Sequence, residues 1–355
     1  MKPIITMCNY YGMCDEQSNP VGHTVKVTNE YASILKERYA VHLVASPCIV
    51  QNCNNSYFEQ LKKLRYNISI SGNGVIKRIV DKFKLIININ QAIGNKGIYF
   101  FYQVDFFFFF YMFFFYRKKK NRKILCLMYH QDFTGGQLEW LLQVIYEHAL
   151  RKLDGVIYTQ KGNPVPHDQT VWIPDFFYID NQYAPYQIME KKDRVVCVGT
   201  MNRYKQLEEL VSAFAGKKTQ LVIAGKFDDL ERNSMLLKVK TDNIKIQNKN
   251  LSYDEYLKLL ATSRYSIMPY DMRQYVNRTS GVLLESIYVG SIPIAPQELL
   301  TQNGLPGIGY KSLMDLFDNE NEKQWETDFD FQSIYLQNDA RRFCDFIGKW
   351  TNECG

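Results

Sequence analysis

Ser263-Arg264-Tyr265-Ser266-Ile267-Met268-Pro269-Tyr270, followed by Asn277-Arg278-Thr279-Ser280-Gly281-Val282-Leu283-Leu284-Glu285-Ser286-Ile287-Tyr288-Val289-Gly290-Ser291-Ile292-Pro293-Ile294-Ala295, decides how this chain is read. Tyr265–Met268 is a short apolar run that stops at Pro269, as a buried strand does. After a loop, Thr279-Ser280-Gly281 opens a helix over Ser280–Val289, and Ser291–Ala295 returns to a strand. A strand, a helix and a second strand in this order form a parallel pair joined by a crossover.

The same alternation runs outward in both directions. In the first half, Ile4–Cys8, Val41–Ala45, Gly97–Gln103, Ile124–Tyr129 and Gly155–Tyr158 read as buried strands. Helices are expected at Gly22–Arg38, Val75–Lys84, Phe106–Lys120 and Leu138–Lys152. In the second half, Arg194–Val198, Leu221–Ala224 and Ile244–Gln247 join the two strands above, with helices near Lys205–Ala215, Leu230–Lys240, Ser252–Ala261 and Ser280–Val289. Continuous apolar strands separated by helices mean parallel sheets covered on both faces, and two such series mean two doubly wound α/β domains. The expected boundaries are an N-terminal domain over 1–180, a linker over 181–193, a C-terminal domain over 194–332, and a helix in 333–355 that returns toward the first domain. Open parallel sheets bind ligands beyond the carboxyl ends of their strands, so function is sought in the loops there.

The loop and helix after Pro269 carry the strongest chemistry. Free backbone N–H groups and the positive end of a helix dipole make an anion cradle, with Arg278, Thr279, Ser280 and Gly281 at its mouth. Glu285 lies about one turn inside and can accept two hydroxyls of a ribose diol. Taken alone, the stretch reads equally well as an ordinary capped helix carrying a surface Glu.

This stretch resembles the retaining glycosyltransferases of family 4 and their GT-B relatives, which carry a strand ending in Pro, a Glu-x7-Glu helix and a Gly-x-Pro. Glu285, Gly290 and Pro293 match, with one extra residue before the Pro, while Asn277 stands at the first Glu. The resemblance implies that Glu285 grips the donor ribose and that Asn277 lies by the donor sugar. Val196-Cys197-Val198-Gly199-Thr200-Met201-Asn202-Arg203-Tyr204-Lys205 resembles the family's Gly-Arg strand end followed by a Lys. There the cations neutralise the donor diphosphate. Lys205 matches the Lys, Thr200 replaces the Arg, and Arg203 is its local substitute beside Gly199. Leu221-Val222-Ile223-Ala224-Gly225 resembles the strand-then-Gly turn under the nucleotide, with Gly225 as its glycine. In the first half, Gly22 of Val21-Gly22-His23-Thr24 corresponds to the family's Gly-rich loop, and His130, ending Cys126–Tyr129, to its strand-His pattern beside the reacting sugar. Ile173-Pro174-Asp175 resembles the segment closing the family's first domain and reads as structural. The resemblance implies a GT-B fold, a nucleotide-diphosphate sugar as donor, a glycan or lipid-linked sugar as acceptor, front-face displacement with retention, and neither cofactor nor metal. Asp328-Phe329-Asp330 spells the D-x-D of another transferase fold but lies in a polar loop away from any matching strand. Two readings stay open beside transfer: a nucleotide-sugar 2-epimerase of the same fold, and a non-catalytic GT-B partner subunit.

Composition narrows the class. The 355 residues allow two cores, and 46% hydrophobic with 23% charged residues excludes intrinsic disorder. Eight cysteines without C-x-x-C spacing read as reduced thiols, and the Met1–Met13 start lacks a basic-then-apolar signal pattern, so a cytosolic protein is expected. Residues 1–180 hold 21 Lys and Arg against 14 Asp and Glu, and the rest 22 against 23, which places an anionic partner on the first half. No nucleic-acid partner is expected. Asp105–Tyr116 is almost wholly aromatic, and Arg117, Lys118, Lys119, Lys120, Arg122 and Lys123 follow at once. The run falls short of the roughly 20 apolar residues a span needs. A helix of this kind either lies in the core or dips Phe106, Phe110 and Phe114 into an anionic bilayer surface while the cations meet lipid phosphates. The expected location is peripheral, on the inner face of a cell membrane. The Asn-, Lys-, Ile- and Tyr-rich composition resembles a bacterial chain, and a bacterial capsule, lipopolysaccharide or exopolysaccharide route would supply such an acceptor.

Overall fold

The computed structural model describes residues 2–14, 20, 24–69, 75–129, 139–162, 164–230, 234–238, 241–273, 275, 278–317, 325 and 328–351. The chain divides into two compact units. The first comprises Met1–Thr159, Pro164–Ile173 and Asn338–Gly355, and the second Gln160–Asn163 and Pro174–Gln337. Residues 174–180, given to the first domain by the sequence reading, therefore fall in the second unit.

In chain order the first unit runs β1 (Ile4–Asn9), β2 (Met13–Cys14), α1 (Thr24–Leu35), β3 (Ala40–Ala45), α2 (Pro47–Asn52), β4 (Gln60–Lys63), β5 (Ile68–Ser69), α3 (Val75–Ala92), β6 (Gly97–Phe101), α4 (Phe106–Phe114), β7 (Arg122–Met128), α5 (Glu139–Lys152), β8 (Gly155–Tyr158) and β9 (Thr170–Trp172). Seven strands form a parallel sheet in the order β4-β3-β1-β6-β7-β8-β9, and β2 pairs separately with β5. Alternation along β6 sends Tyr99 and Phe101 to one face and Ile98 and Phe100 to the other. The first pair joins Phe108, Phe109, Tyr111 and Met112 of α4, Leu85 and Ile89 of α3, and Tyr146 and Leu150 of α5 in one buried cluster. The inward side of the aromatic run is thus core.

Three sequence expectations change here. The aromatic helix stops at Phe114, and the Lys152 ammonium donates to the carbonyls of Met112 (2.8 Å), Phe113 (2.8 Å) and Tyr116 (3.2 Å). A cation from the neighbouring helix satisfies the carbonyls that a longer helix would have paired internally. At its other end Asp105 caps α4 by accepting from the Phe108 N–H, and Tyr10 donates its hydroxyl to the same carboxylate at 2.6 Å. Burial raises the Asp105 pKa above the ordinary carboxylate range. The second change is in α3, which continues to Ala92 instead of ending at Lys84. Third, the C-terminal stretch is broken, with a short helix over Phe331–Tyr335 in the second unit and a helix over Asp339–Gly348 in the first.

That last helix seals the side of the sheet opposite α4. Phe343 is fully buried, its ring centroid 5.4 Å from that of Tyr31 and 5.5 Å from that of Phe100. Gly155 is needed beneath it, because a Cβ there would stand 2.5 Å from the Trp350 ring. The described cysteines are all free and buried.

The second unit runs α6 (Asp180–Gln187), β10 (Lys192–Val198), α7 (Leu207–Phe214), β11 (Gln220–Gly225), β12 (Ile244–Asn248), α8 (Tyr253–Ala261), β13 (Ser263–Ile267), α9 (Gly281–Tyr288), β14 (Ile292–Pro296), α10 (Gln297–Asn303), β15 (Ile308–Tyr310) and α11 (Phe331–Tyr335). Six parallel strands lie in the order β12-β11-β10-β13-β14-β15. The chain winds outward from β10 in one direction and from β13 in the other, so the switch point falls between these two strands. Within 230–240 the described helical residues are a single 3-10 turn, Leu236–Lys238, where a longer helix was expected. The expected linker is instead built into this unit. α6 packs on α8, Tyr186 donates to Asp254 (2.9 Å), and the Lys191 ammonium donates to the carbonyls of Ala261 and Val289 (both 2.8 Å) at the ends of α8 and α9. Burial pulls the Lys191 pKa down to about 8.

Phe343→Ala tests the returning helix. Removing this ring from a sealed site is expected to cost about 3–5 kcal/mol in urea unfolding of the first unit, while the second unit's transition stays in place.

Candidate nucleotide site

The loops after β10 and β13 meet at the switch point. Gln206 N–H donates to the Pro269 carbonyl (2.7 Å), and Asp271 N–H donates to the Tyr204 carbonyl (2.8 Å). Beneath this junction the ends of β10 and β11 approach so closely that a Cβ on Gly225, at φ +156°, would stand 1.8 Å from the Gly199 carbonyl oxygen. Only glycine fits there. Gly199 itself has φ +93°, and a Cβ on it would point 3.8 Å from both the Lys205 Nζ and the Val282 side chain. The turn after β10, the Lys205 ammonium and the first turn of α9 thus share one small space.

Lys205 is only 6% exposed. Its Nζ donates to the Val198 carbonyl at 2.7 Å and lies 3.8 Å from the Met201 sulfur. Among the described residues no carboxylate lies within ion-pair distance of it. A buried ammonium held by neutral groups leaves a charge unbalanced, and an anion is the natural complement. Two more cations stand nearby. Arg278, half-buried, lies over the Tyr204 ring at 4.7 Å, and the exposed Arg203 lies over the same ring at 5.2 Å and donates to its hydroxyl at 3.3 Å. The Arg203 hydrogen bond, chiefly, lowers the Tyr204 pKa. Thr200 is exposed beside them, and Thr279 is half-buried with its carbonyl accepting from the Tyr275 hydroxyl at 2.6 Å. A cavity of about 530 Å³, which Lys205 helps to line, is bordered by Glu208, Glu209, Asp228, Asp229 and Asp271 as well as by Arg203 and Arg273. Its carboxylates repel a diphosphate, so the anion is expected on the Gly199 and Val282 side.

Two residues at the mouth of α9 have partners that the sequence did not reveal. The space a Cβ on Gly281 would need is taken by the Phe176 ring, at 2.3 Å, so this glycine serves helix packing as well as any phosphate approach. Ser280 is buried, makes no side-chain cap, and shares a hydrogen bond with the Tyr270 hydroxyl at 3.2 Å. Tyr270 in turn stacks on Tyr275 with centroids 4.0 Å apart.

Glu285 is 1% exposed. One carboxylate oxygen accepts from the Tyr253 hydroxyl (2.7 Å) and the other from the Tyr256 hydroxyl (2.8 Å). These phenols offset the cost of burying the charge. Burial first, and the Glu285 charge second, push both phenol pKa values upward. Tyr253 and Tyr256 were missed by sequence reasoning. Their signal was present: after Ser252, whose side chain and Glu255 form a capping box, the two tyrosines lie three apart on one face of α8. Gly22, His130 and Asn277 lie outside the described residues. Among the described residues no cluster of His, Cys, Asp and Glu could hold a metal, and none of the described helices is long and apolar enough to cross a membrane.

The chain has the GT-B fold, with two Rossmann-like α/β units. It is similar to HepE of Anabaena, solved with UDP and glucose, at 12% identity and a TM-score of 0.62, covering 99% of both chains. It is also similar to the catalytic domain of starch synthase IV from Arabidopsis thaliana, solved with ADP and acarbose. That match has 10% identity and a TM-score of 0.59, over 99% of this chain and 100% of the other. A UDP-forming trehalose-phosphate synthase from Burkholderia xenovorans gives 6% identity and a TM-score of 0.56, over 99% and 96%. No family model matches the sequence, and no curated protein matches it either.

Tyr256→Phe is expected to destabilise the second unit by about 1–3 kcal/mol in chemical denaturation, because it leaves one buried Glu285 oxygen short of a donor. Adding Glu285→Gln should recover part of that loss, since the amide carries no buried charge.

Proposed function

We propose that this protein is a glycosyltransferase that moves a sugar from a nucleotide-diphosphate donor to a glycan or lipid-linked sugar acceptor. The observation that carries the reading is Lys205, a buried ammonium without a carboxylate partner among the described residues, set beside Gly199 and the start of α9. The fold shared with HepE and starch synthase IV supports it, since those proteins were solved with UDP and ADP respectively.

In this reading Lys205, Arg203 and Arg278, with the Gly281 end of α9, receive the donor diphosphate. Glu285, steadied by Tyr253 and Tyr256, accepts from the ribose hydroxyls. The bond between the sugar's anomeric carbon and the diphosphate oxygen breaks, and the charge that develops on that oxygen meets cations already in place. The acceptor hydroxyl attacks from the same face with retention, and its proton passes to the departing phosphate oxygen. The site then supplies orientation and charge, and neither nucleophile nor metal is called for. His130, Gly22 and Asn277 are proposed to line the sugar and acceptor. A lipid-linked acceptor, as in bacterial surface-polysaccharide assembly, would place the protein at the cytoplasmic face of a membrane.

Lys205→Met is the sharpest test. Removal of a buried charge without an ion-pair partner is expected to leave the melting temperature unchanged or raised. Nucleoside diphosphate binding, by calorimetry, should weaken by about 2–5 kcal/mol. Unchanged binding would move the phosphate site elsewhere. With donor present, release of nucleoside diphosphate together with a glycosylated acceptor distinguishes transfer from an epimerase, which would return an altered nucleotide sugar. A partner subunit would do neither.

A further inference from the structure

The helices α3, α4 and α5 cover one face of the first unit's sheet, and α4 packs against both of the others. Each outer helix is apolar on two sides. On α3 the inner stripe Leu85, Ile89 and Ala92 is buried, while Ile79, Val80, Phe83 and Ile87 stand 49%, 44%, 63% and 37% exposed. On α5 the inner stripe Ile145, Ala149 and Leu150 is buried, while Trp140, Leu141 and Val144 stand 67%, 37% and 49% exposed. At the end of α4 between them, Phe114 and Phe115 are 55% and 56% exposed. A surface helix needs one apolar stripe to hold it to the core, so the second stripe on each of these helices has no use in folding. Nine large apolar side chains bared on three packed helices exceed the scattered exposure of an ordinary surface.

The charge of the same segment identifies what covers it. Residues 75–123, which contain α3, α4 and the basic run, hold 11 Lys and Arg against 2 Asp and Glu, an excess of +9. The whole chain carries only +6. Lys82 reaches across to within 5.2 Å of the Phe107 ring, and Arg117, Lys118, Lys119 and Lys120 are exposed next to Phe115. Bared apolar groups beside cations match the interface of an anionic bilayer, where rings enter the headgroup boundary and ammonium groups meet phosphates.

We propose that the outer face of the α3, α4 and α5 layer, led by Phe83 and Trp140, is the surface by which this protein lies on an anionic membrane. The proposal deepens the membrane part of the function above and alters the sequence expectation. Of the three phenylalanines named there, only Phe114 is bared, and Phe106 and Phe110 are half-buried. Lys123 is 13% exposed and lies 3.9 Å from Asp154, and Lys118 pairs with the same carboxylate at 3.3 Å. The apolar contact therefore passes to α3 and α5, which the sequence reading did not use.

The test uses the full chain, without donor, and vesicles of phosphatidylcholine alone or mixed equally with phosphatidylglycerol. Sedimentation with the mixed vesicles should leave a bound fraction in high salt. Phe83→Ser and Trp140→Ser should each lower partitioning roughly tenfold or more, as expected for withdrawing a large apolar side chain from the interface. Brominated acyl chains should quench wild-type tryptophan emission, and Trp140→Phe should abolish that part of the quenching. Absence of binding, or of bromolipid quenching in the wild type, overturns the proposal. Binding that salt removes completely and that both serine variants retain overturns it too, leaving adhesion by the basic run alone. Sedimentation velocity without lipid showing a wild-type dimer that the serine variants dissolve would assign the face to a second copy instead. Nucleoside diphosphate binding, measured in parallel, reports on the other unit, so failure of vesicle binding and failure of the transferase reading appear in separate assays. If a serine variant loses its fold, the wild-type quenching decides.

Discussion

The contact on which the second unit depends is the approach of two backbones, the Gly225 Cα against the Gly199 carbonyl. Strands in a parallel sheet diverge by their twist, and side chains at their ends ordinarily hold the following loops apart. Here Gly199 follows β10 and Gly225 ends β11, so their loops can close on each other. Met201 N–H then reaches the Lys226 carbonyl at 2.8 Å, and Gly199 stands close to both the Lys205 ammonium and Val282 at the start of α9. Without that approach the ammonium would stand in solvent, where a cation binds a diphosphate weakly because water screens it. The same cation placed 6% exposed acts in a medium of much lower polarity. In the proposed reading, burial is therefore the device that would let this lysine receive an anion.

A second constraint is aromatic. Tyr204, Tyr275, Tyr253 and Tyr256 each present a hydroxyl or a ring face to a charged or backbone group of the site, and Tyr270 bonds the Ser280 hydroxyl. Rigid rings fix polar atoms at little entropic cost, since a tyrosine has few rotatable bonds to freeze. Among the described residues between β13 and α9, Tyr270 and Tyr275 stack on each other and bond the Ser280 hydroxyl and the Thr279 carbonyl.

Much of the architecture was legible because buried parallel strands are continuous apolar runs, and Val195–Val198, Leu221–Ala224 and Leu125–Met128 could hardly be anything else. Glycines were legible as positions without a side chain, though not for their reasons: Gly281 yields to the Phe176 ring, a residue more than 100 positions earlier. Polar partners were the least legible. Lys152 ending α4, Lys191 fastening α8 and α9, and the tyrosines on Glu285 all act between elements distant in sequence, and no local pattern announces such meetings. The segment 180–187 looked like a linker because its Tyr, Gln and Asn residues lack an apolar stripe. Its helix is held by hydrogen bonds to α8 and by the single buried ring of Tyr183, packed on Tyr288. The aromatic run misled in a different way. Its composition reads as core or membrane, and three-dimensional packing divides it, with Phe108 and Phe109 inward and Phe114 and Phe115 outward.

The helix that returns to the first unit sets an order of events during synthesis. Apart from Gln160–Asn163, the second unit is one continuous stretch from Pro174 to Gln337. The ribosome releases all of it before Phe343 and Trp350 emerge. Until then the Tyr31 and Phe100 rings, and the hollow over Gly155, have nothing to cover them. The half of the protein made first is thus finished last. In the interval its sheet presents a wide aromatic surface to its surroundings, the period in which a nascent chain is most exposed to wrong partners.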